Sequence, residues 1–251
     1  MKSRPIISLK DLSFRFPGSR EKKNALERIN LDIFKGEKVG ILGESGSGKT
    51  TLSLILAGLE KPTSGFLFYQ GMRLHGRKAY RDYSSRIQYL FQNPAGAVNR
   101  YRRIIDLVSE PLIYRNYSKK AIKSVAFEML QRVGIDPLRW YDYPDQLSLG
   151  QIQRVCLARA MTAGPEILIC DEPFSALDVS NRGKMEEILL QLNENHGVTL
   201  VIIGHETDLL LRLCQKILVL REGKKVDLID KTRSDYVLCE YTSRFFNKKL
   251  I

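Results

Sequence analysis

The strongest constraint on this chain is a run of eight residues, Gly43-Glu44-Ser45-Gly46-Ser47-Gly48-Lys49-Thr50. It matches the pattern G-x-x-x-x-G-K-[ST] in full, after the apolar run Val39–Leu42 and before a segment with helical character that ends ahead of Pro62. The glycines let the backbone turn tightly, so that its N–H groups point into one anion-sized hollow. The following helix adds the partial positive charge of its N-terminus. These residues, the phosphate-binding loop, therefore predict a strand–loop–helix unit that holds nucleotide phosphates.

Each residue type in this loop has a chemical use. Lys49 is predicted to reach the β- and γ-phosphates, and the Thr50 hydroxyl to coordinate Mg²⁺. A glycine-rich turn without a ligand is the alternative, and the strand before the loop and the helix after it argue against that alternative. The residues predicted to contact the nucleotide here are Gly43, Glu44, Ser45, Gly46, Ser47, Gly48, Lys49, Thr50 and Thr51.

Two adjacent acids follow the apolar run Ile167–Cys170. A buried parallel strand can be continuously apolar, while its carboxyl end faces the ligand crevice. Two acids placed there repel each other unless a cation or a reacting water lies between them. We therefore predict that Asp171 holds Mg²⁺ through its water shell and that Glu172 polarises the attacking water as general base. A simple acidic cap of the next turn is the alternative for such a pair.

Composition limits the broad class. With 251 residues, 43% of them hydrophobic and 27% charged, the chain can build one good-sized α/β domain with a small inserted subdomain. No apolar run approaches the roughly 18 residues of a membrane span, and no apolar region follows the basic N-terminus, so we expect a cytosolic chain. The four cysteines form no Cys-x-x-Cys pair, which argues against zinc, iron–sulfur or disulfide sites.

The chain is basic, with 40 Lys and Arg against 28 Asp and Glu and a net charge of +12. Such a surface can attract nucleic acid or anionic lipid headgroups. Because the basic residues are scattered without a recognition-helix pattern, we expect a solvated face near a membrane and no nucleic-acid partner.

The remaining pattern alternates strands with helices, which predicts a parallel sheet covered on both faces. Ahead of Leu149, residues 6–35 and 64–92 have the character of strands, and residues 95–145 that of helices. At the end of the chain, residues 231–251 form a Lys-rich aromatic tail that we expect to dock as a short helix. The elements expected between these segments are a helix from Leu149 to Gly164, a strand over Ile167–Cys170, a helix around Gly183–Leu192 and a strand over Thr199–Ile203.

The segment Leu147-Ser148-Leu149-Gly150-Gln151, the signature segment, precedes a helix about 20 residues upstream of Asp171. Ser148 and Gln151 have the spacing of a capping box, which any helix can use. The segment also resembles the signature of the ABC ATPases, usually LSGGQ. In that family a capped helix start of this kind clamps the γ-phosphate of ATP held by the opposite subunit of a head-to-tail dimer. The resemblance assigns Ser148, Gly150 and Gln151 to this contact, and Leu149, where glycine is usual, implies weaker clamping.

Four further positions match landmarks of the same family in order. The resemblance implies that Phe16 stacks on adenine and that Gln92 contacts Mg²⁺ and the attacking water. It implies that Asp178, in Ser175-Ala176-Leu177-Asp178, crosses the dimer interface and that His205 touches the γ-phosphate. The implied catalytic residues are then Glu172, His205 and Gln92, and the implied metal-site residues are Thr50, Gln92 and Asp171.

The family resemblance also implies an architecture. It is an α/β fold: a P-loop NTPase ABC cassette with a RecA-like parallel-sheet core, an N-terminal antiparallel β subdomain and an inserted helical subdomain. We expect the ATP-binding domain to span residues 1–230, with the helical subdomain at about 95–160, and a short tail at 231–251.

Within the family, residues 92–99, Ser109–Leu112 and Gln151–Ala160 resemble the ATPases of nickel and oligopeptide importers, with the nickel type slightly closer. This resemblance implies ATP and Mg²⁺ as cofactors and a second ATPase subunit, often a different chain. It also implies two transmembrane permease subunits, an extracytoplasmic substrate-binding protein, and a peripheral place on the cytoplasmic face of the inner membrane. The alternatives are an ABC ATPase outside transport, such as a phosphonate-degradation accessory or a nucleic-acid machine, and an exporter cassette.

Overall fold

The computed structural model describes residues 4–18, 24–175, 177–232 and 238–246. Three single 3₁₀ turns, Ala95–Ala97, Pro137–Arg139 and Pro144–Gln146, supplement the regular elements. The strands are β1 (Ile7–Phe14), β2 (Leu26–Ile33), β3 (Lys38–Gly43), β4 (Ser64–Tyr69), β5 (Met72–Arg73), β6 (Ile87–Leu90), β7 (Ile167–Asp171), β8 (Thr199–Ile203), β9 (Lys216–Arg221) and β10 (Lys224–Asp230). The helices are α1 (Lys49–Leu56), α2 (Gly76–Ser84), α3 (Ile104–Tyr114), α4 (Lys119–Arg132), α5 (Leu149–Thr162), α6 (Val179–His196), α7 (Thr207–Leu213) and α8 (Glu240–Phe245).

A six-stranded sheet with the order β10-β9-β3-β8-β7-β6 forms the centre of the fold. Its strands pair in parallel except β10, which runs antiparallel to β9. Every residue of β7 and β8 is buried, as expected for parallel strands covered on both faces. Ile203 is in register with both Ile41 and Asp171, so the chain leaves β3, β7 and β8 at one edge of the sheet. This edge carries the phosphate-binding loop, Glu172 and His205.

A second sheet, antiparallel and four-stranded, has the order β2-β1-β4-β5. Apolar residues of β1, β2 and β4 share one buried cluster with Leu52, Ile55 and Leu56 of α1. The two sheets therefore enclose α1, the helix that follows the phosphate-binding loop. The expectation of antiparallel strands near the N-terminus is confirmed, as is the predicted fold class.

Helices α3, α4 and α5 pack on one another between β6 and β7 in the chain. The helix predicted from Leu149 begins at that residue, and the predicted strand over Thr199–Ile203 is confirmed. The helical character expected over residues 95–145 is confined to α3, α4 and short turns. The limits proposed for the helical subdomain, about 95–160, and for the ATP-binding domain stay predictions.

One element differs from the expectation. Residues 64–92 were predicted to be strands, but Gly76–Ser84 forms helix α2. Tyr80 and Tyr83 lie three residues apart in this helix. The Tyr83 hydroxyl donates a hydrogen bond to the Leu56 carbonyl at 2.5 Å. A spacing of three residues places both side chains on one face of a helix.

Two other helices differ in length from the prediction. The helix expected around Gly183–Leu192 extends over Val179–His196, because Asp178 caps its start and Gly197, at φ 64°, ends it. In the tail, Glu240–Phe245 is helical as expected, while residues 233–237 and 247–251 lie outside the described residues.

Candidate nucleotide-binding site

The phosphate-binding loop forms one wall of a cavity of about 620 Å³. Residues from six other parts of the chain complete it, so the cavity is a product of the fold and not of the loop alone. The residues lining it are Phe16, Ala25, Gly43, Glu44, Ser45, Gly46, Gly48, Lys49, Thr50, Thr51, Gln92, Glu172, His205 and Phe245. Thus most predicted nucleotide contacts come together; Ser47 does not line the cavity, and its side chain is buried.

Lys49 is held in the loop by its own backbone. The ammonium group donates hydrogen bonds to the carbonyl oxygens of Gly43 and Glu44, each at 2.8 Å. Burial lowers the pKa of Lys49, and the nearby charges of Glu172 and Asp171 oppose that shift. The cation therefore lies beside both acids and next to the open cavity.

Gly48 shows why the loop requires glycine at its end. It is the residue before α1, with φ 101°, where L side chains are strained. A Cβ added there would lie 2.8 Å from the Ala25 carbonyl oxygen and 2.8 Å from Leu26 Cδ2. The backbone of the loop is therefore pressed against the start of β2, which fixes its position.

Asp171 ends β7 and is 6% exposed. Burial raises its pKa, and so does the charge of Glu172, whereas a hydrogen bond from Tyr89 and the charge of Lys49 lower it. The Tyr89 hydroxyl donates to Asp171 Oδ2 at 2.8 Å. The carboxylate is thus anchored through one oxygen, beneath the start of α1 that carries Thr50.

Glu172 turns away from the strand in the left-handed region, at φ 47°, which is uncommon for a residue with a side chain. Its amide donates to the Ile203 carbonyl at the end of β8 at 2.9 Å. Gln92 Nε2 donates to Glu172 Oε2 at 2.9 Å, and His205 Nδ1 lies 3.6 Å from Oε1. The three residues predicted to be catalytic are therefore in contact at one end of the cavity.

The signature segment lies apart from this cavity. Ser148 Oγ accepts from the Gln151 amide at 3.3 Å, and Gln151 Oε1 accepts from the Ser148 amide at 2.8 Å, a complete capping box. Ser148 is exposed, and Leu149 is 41% exposed. The start of α5 therefore presents a capped helix end to the outside of the chain.

Asp178 lies close to the signature segment. Its carboxylate accepts from the Asn181 amide at 2.9 Å and from Asn181 Nδ2 at 2.7 Å, which caps α6. A Cβ on Gly150 would lie 3.1 Å from Leu177 Cδ2 and 3.3 Å from Asn181 Cγ. Gly150 thus allows the starts of α5 and α6 to pack closely, and the site residues divide into two groups on the chain.

Comparison with known proteins agrees with this arrangement. The sequence profile of the family described as ABC transporter matches residues 26–175. The chain belongs to the ABC transporter family. The nickel import ATP-binding protein NikE of Rhodospirillum rubrum is 37% identical over 213 residues, covering 84% of this chain and 77% of that protein. The dipeptide transport ATP-binding protein DppF of Escherichia coli is 32% identical over 232 residues, covering 89% and 70%.

A solved ABC cassette, a dimer in a post-hydrolysis state bound to ADP and Pi, superposes with a TM-score of 0.81 at 30% identity. The match covers 89% of this chain and 98% of that one. As a member of this ABC family, the chain binds ATP and is an ATP hydrolase. No helix of the described residues is both long enough and apolar enough to cross a membrane.

Sequence reasoning missed three residues of the ABC site: Ala25, which lines the cavity next to the start of β2, Tyr89 and Phe245. Tyr89 stands in an ordinary strand pattern, and only the pairing of β6 with β7 brings its hydroxyl to Asp171. Phe245, on α8, lines the cavity from the far end of the chain. The helix that carries it is fixed by the buried Tyr241, whose ring lies under the Arg221 guanidinium at 4.8 Å. The expected docking of the tail was the available signal, but nothing in its sequence indicated where it docks.

Proposed function

We propose that this ATPase is the nucleotide-binding subunit of a membrane importer. Hydrolysis is proposed to use Glu172 as the general base, with Gln92 and His205 holding the attacking water and the γ-phosphate. The contacts of both residues with the Glu172 carboxylate, at 2.9 and 3.6 Å, carry this proposal. Phe16, 51% exposed on the cavity wall, is proposed to supply the ring on which adenine stacks.

The residues present fit a magnesium ion. Hydroxyl, carboxylate and amide oxygens are the donors that this hard cation prefers, and Thr50, Asp171 and Gln92 supply one of each. Because the Gln92 amide nitrogen bonds Glu172, its amide oxygen is the atom that can reach a metal. When bound, Mg²⁺ would neutralise charge on the β- and γ-phosphates. Lys49 would neutralise charge on the same phosphates; burial lowers its pKa, and the charges of Glu172 and Asp171 oppose that shift.

The split between the cavity and the signature segment supports a paired arrangement. The N–H groups of a helix start are suited to a phosphate, and this start lies at an exposed serine, yet Ser148, Gly150 and Gln151 do not line the chain's own cavity. We propose that they contact ATP held by a second ABC ATPase subunit in a head-to-tail dimer, with Asp178 at the same interface. The dimeric cassette similar to this chain supports the arrangement.

Exposed apolar side chains on and around α3 support docking to membrane subunits. Tyr101 and Tyr114 are 84% and 81% exposed, and Ile113 is 53% exposed. Ile113 and Tyr117 line a groove of about 640 Å³ that continues to Tyr141. Exposed apolar surface of this kind is typical of binding sites. We propose that residues 93–115 receive helices of two transmembrane permease subunits, which places the chain peripherally on the cytoplasmic face of the inner membrane.

The cargo is proposed to be nickel or a peptide, supplied by an extracytoplasmic substrate-binding protein. The nickel import and dipeptide transport proteins described above support this choice. The nickel type is favoured slightly because residues Gln151–Ala160 resemble those of nickel importer ATPases.

Purification of the tagged chain from detergent-solubilised membranes tests the importer assignment. We expect two permease subunits and a second cassette to copurify, and Ile113→Asp to abolish their retention. Asp136→Asn, on an exposed turn outside the groove, is the matched control. A stable complex with soluble enzymes alone would instead support an ATPase outside transport, and ATP-driven efflux by reconstituted vesicles would support an exporter.

A further inference from the structure

One tyrosine hydroxyl links the three segments that carry the proposed metal-site residues. Tyr89 lies on β6, where it pairs with Ile169 of β7. Its hydroxyl is 2.8 Å from Asp171 Oδ2 and 2.8 Å from Ser53 Oγ. Ser53 is fully buried on α1, and its own hydroxyl also lies 2.8 Å from the Thr50 carbonyl. The contacts thus join the helix of Thr50, the strand that leads to Gln92, and the end of the strand with Asp171.

The hydrogen bond between Tyr89 and Asp171 has a fixed direction. An ionised Asp171 only accepts, so the single proton of Tyr89 is donated to Oδ2. Ser53 then donates to the Tyr89 oxygen or to the Thr50 carbonyl. Because Oδ2 is used by Tyr89, Oδ1 is the oxygen of Asp171 that remains for a metal-bound water.

We propose that Tyr89 is a positioning residue for the metal site of this ATPase. It orients Asp171 through Oδ2 and holds the carboxylate in register with Thr50 through Ser53. Groups that orient metal ligands in this way contribute about 10- to 100-fold in metal affinity when measured by mutation. The inference rests on the proposed function, since it requires Asp171 to be the carboxylate on the metal side.

The test is a comparison of ATP affinity with Mg²⁺ and with EDTA, measured by binding to the full-length chain. Tyr89→Phe removes the hydroxyl and keeps the ring, which packs on Phe91 at 4.6 Å. We expect ATP affinity in EDTA to stay as in the wild type and the enhancement by Mg²⁺ to fall about 10-fold. The same loss is expected with Mn²⁺, whose bound fraction can be followed by electron paramagnetic resonance.

Tyr83→Phe is the matched control, because Tyr83 is also buried and its hydroxyl bonds the same helix at the Leu56 carbonyl. It should lower the free energy of unfolding without changing the Mg²⁺ enhancement. If Tyr89→Phe and Tyr83→Phe behave alike, the positioning role is wrong. Asp171→Asn distinguishes the positioning role of Tyr89 from the metal role of Asp171. A loss of Mg²⁺ enhancement in Asp171→Asn but not in Tyr89→Phe overturns only the inference. Unchanged enhancement in Asp171→Asn overturns the metal role of Asp171 as well.

Discussion

Replacing Lys49 by alanine tests the phosphate-binding loop directly. Lys49 is 9% exposed, and its ammonium group donates to two loop carbonyls at 2.8 Å. On binding ATP it is expected to exchange these carbonyls for phosphate oxygens, so only the difference between the two sets of bonds contributes to affinity. Alanine removes the charge and leaves the Gly43 and Glu44 carbonyls without their donor.

The magnitude follows from the strength of hydrogen bonds to charged groups, about 1.5–3 kcal/mol each. The two bonds given up go to neutral carbonyls and lie at the lower end of this range, whereas the two bonds to charged phosphate lie at its upper end, which leaves a net loss of up to about 3 kcal/mol. We take a value of about 2.7 kcal/mol within this range, which corresponds to about 100-fold weaker ATP binding. At an ATP concentration about 100 times the wild-type Kd, ATP raises the free energy of unfolding by about 2.7 kcal/mol in the wild type. In Lys49→Ala the same concentration contributes only about 0.4 kcal/mol.

The assay is denaturant unfolding of both proteins with and without ATP, together with a direct binding isotherm. Lys38→Ala is the matched control. Lys38 begins β3, the strand that leads into the phosphate-binding loop, and its ammonium donates to Asn193 Oδ1 at 2.9 Å, at the end of β3 away from the loop. The control should keep its stabilisation by ATP. Stabilisation of Lys49→Ala equal to that of the wild type would refute the phosphate cradle.

Three further changes test the fold and the second group of site residues. Ser148→Ala removes a helix cap and should cost about 1 kcal/mol of stability. It should leave ATP binding by the isolated chain unchanged and slow hydrolysis by the assembled complex. Weaker ATP binding by the isolated chain would contradict the assignment of Ser148 to the ATP of a second subunit. Gly65→Ala places a Cβ 2.3 Å from the Asp11 carbonyl at φ 78°, so unfolding experiments should show a loss of more than about 2 kcal/mol. Burial raises the pKa of the Cys156 thiol to about 11; its thiolate is therefore scarce at neutral pH, and alkylation followed by mass spectrometry at pH 8 should modify the half-buried Cys239 first.

Much of the site could be predicted because its residues lie in short local patterns. The loop before α1 is defined by glycine spacing, and Asp171-Glu172 by an apolar strand that ends in acids. The backbone of a parallel sheet brings such strand ends to one edge, whatever the rest of the chain does. For this reason Gln92, Glu172 and His205, far apart in the sequence, meet at the same end of the cavity.

The remaining features depend on contacts that no local pattern contains. Tyr89 reaches Asp171 only through the register of β6 on β7, and an apolar residue there would give the same strand pattern. Helix α2 was missed because tyrosines also suit a strand, and Leu56, whose carbonyl accepts from Tyr83, lies on a distant element. The position of Phe245 depends on where α8 docks, which involves the buried Tyr241 and Arg221.

The most direct test of the central account is hydrolysis by Glu172→Gln. Glutamine keeps an oxygen for the 2.9 Å bond from Gln92 but cannot take a proton from water. The measurement is steady-state hydrolysis by the assembled complex, in which any different partner cassette has been inactivated, beside ATP binding by the same preparation. We expect ATP binding to be preserved and turnover to fall by roughly 10²- to 10⁴-fold, the usual contribution of a general base. Normal steady-state turnover by Glu172→Gln would contradict the account.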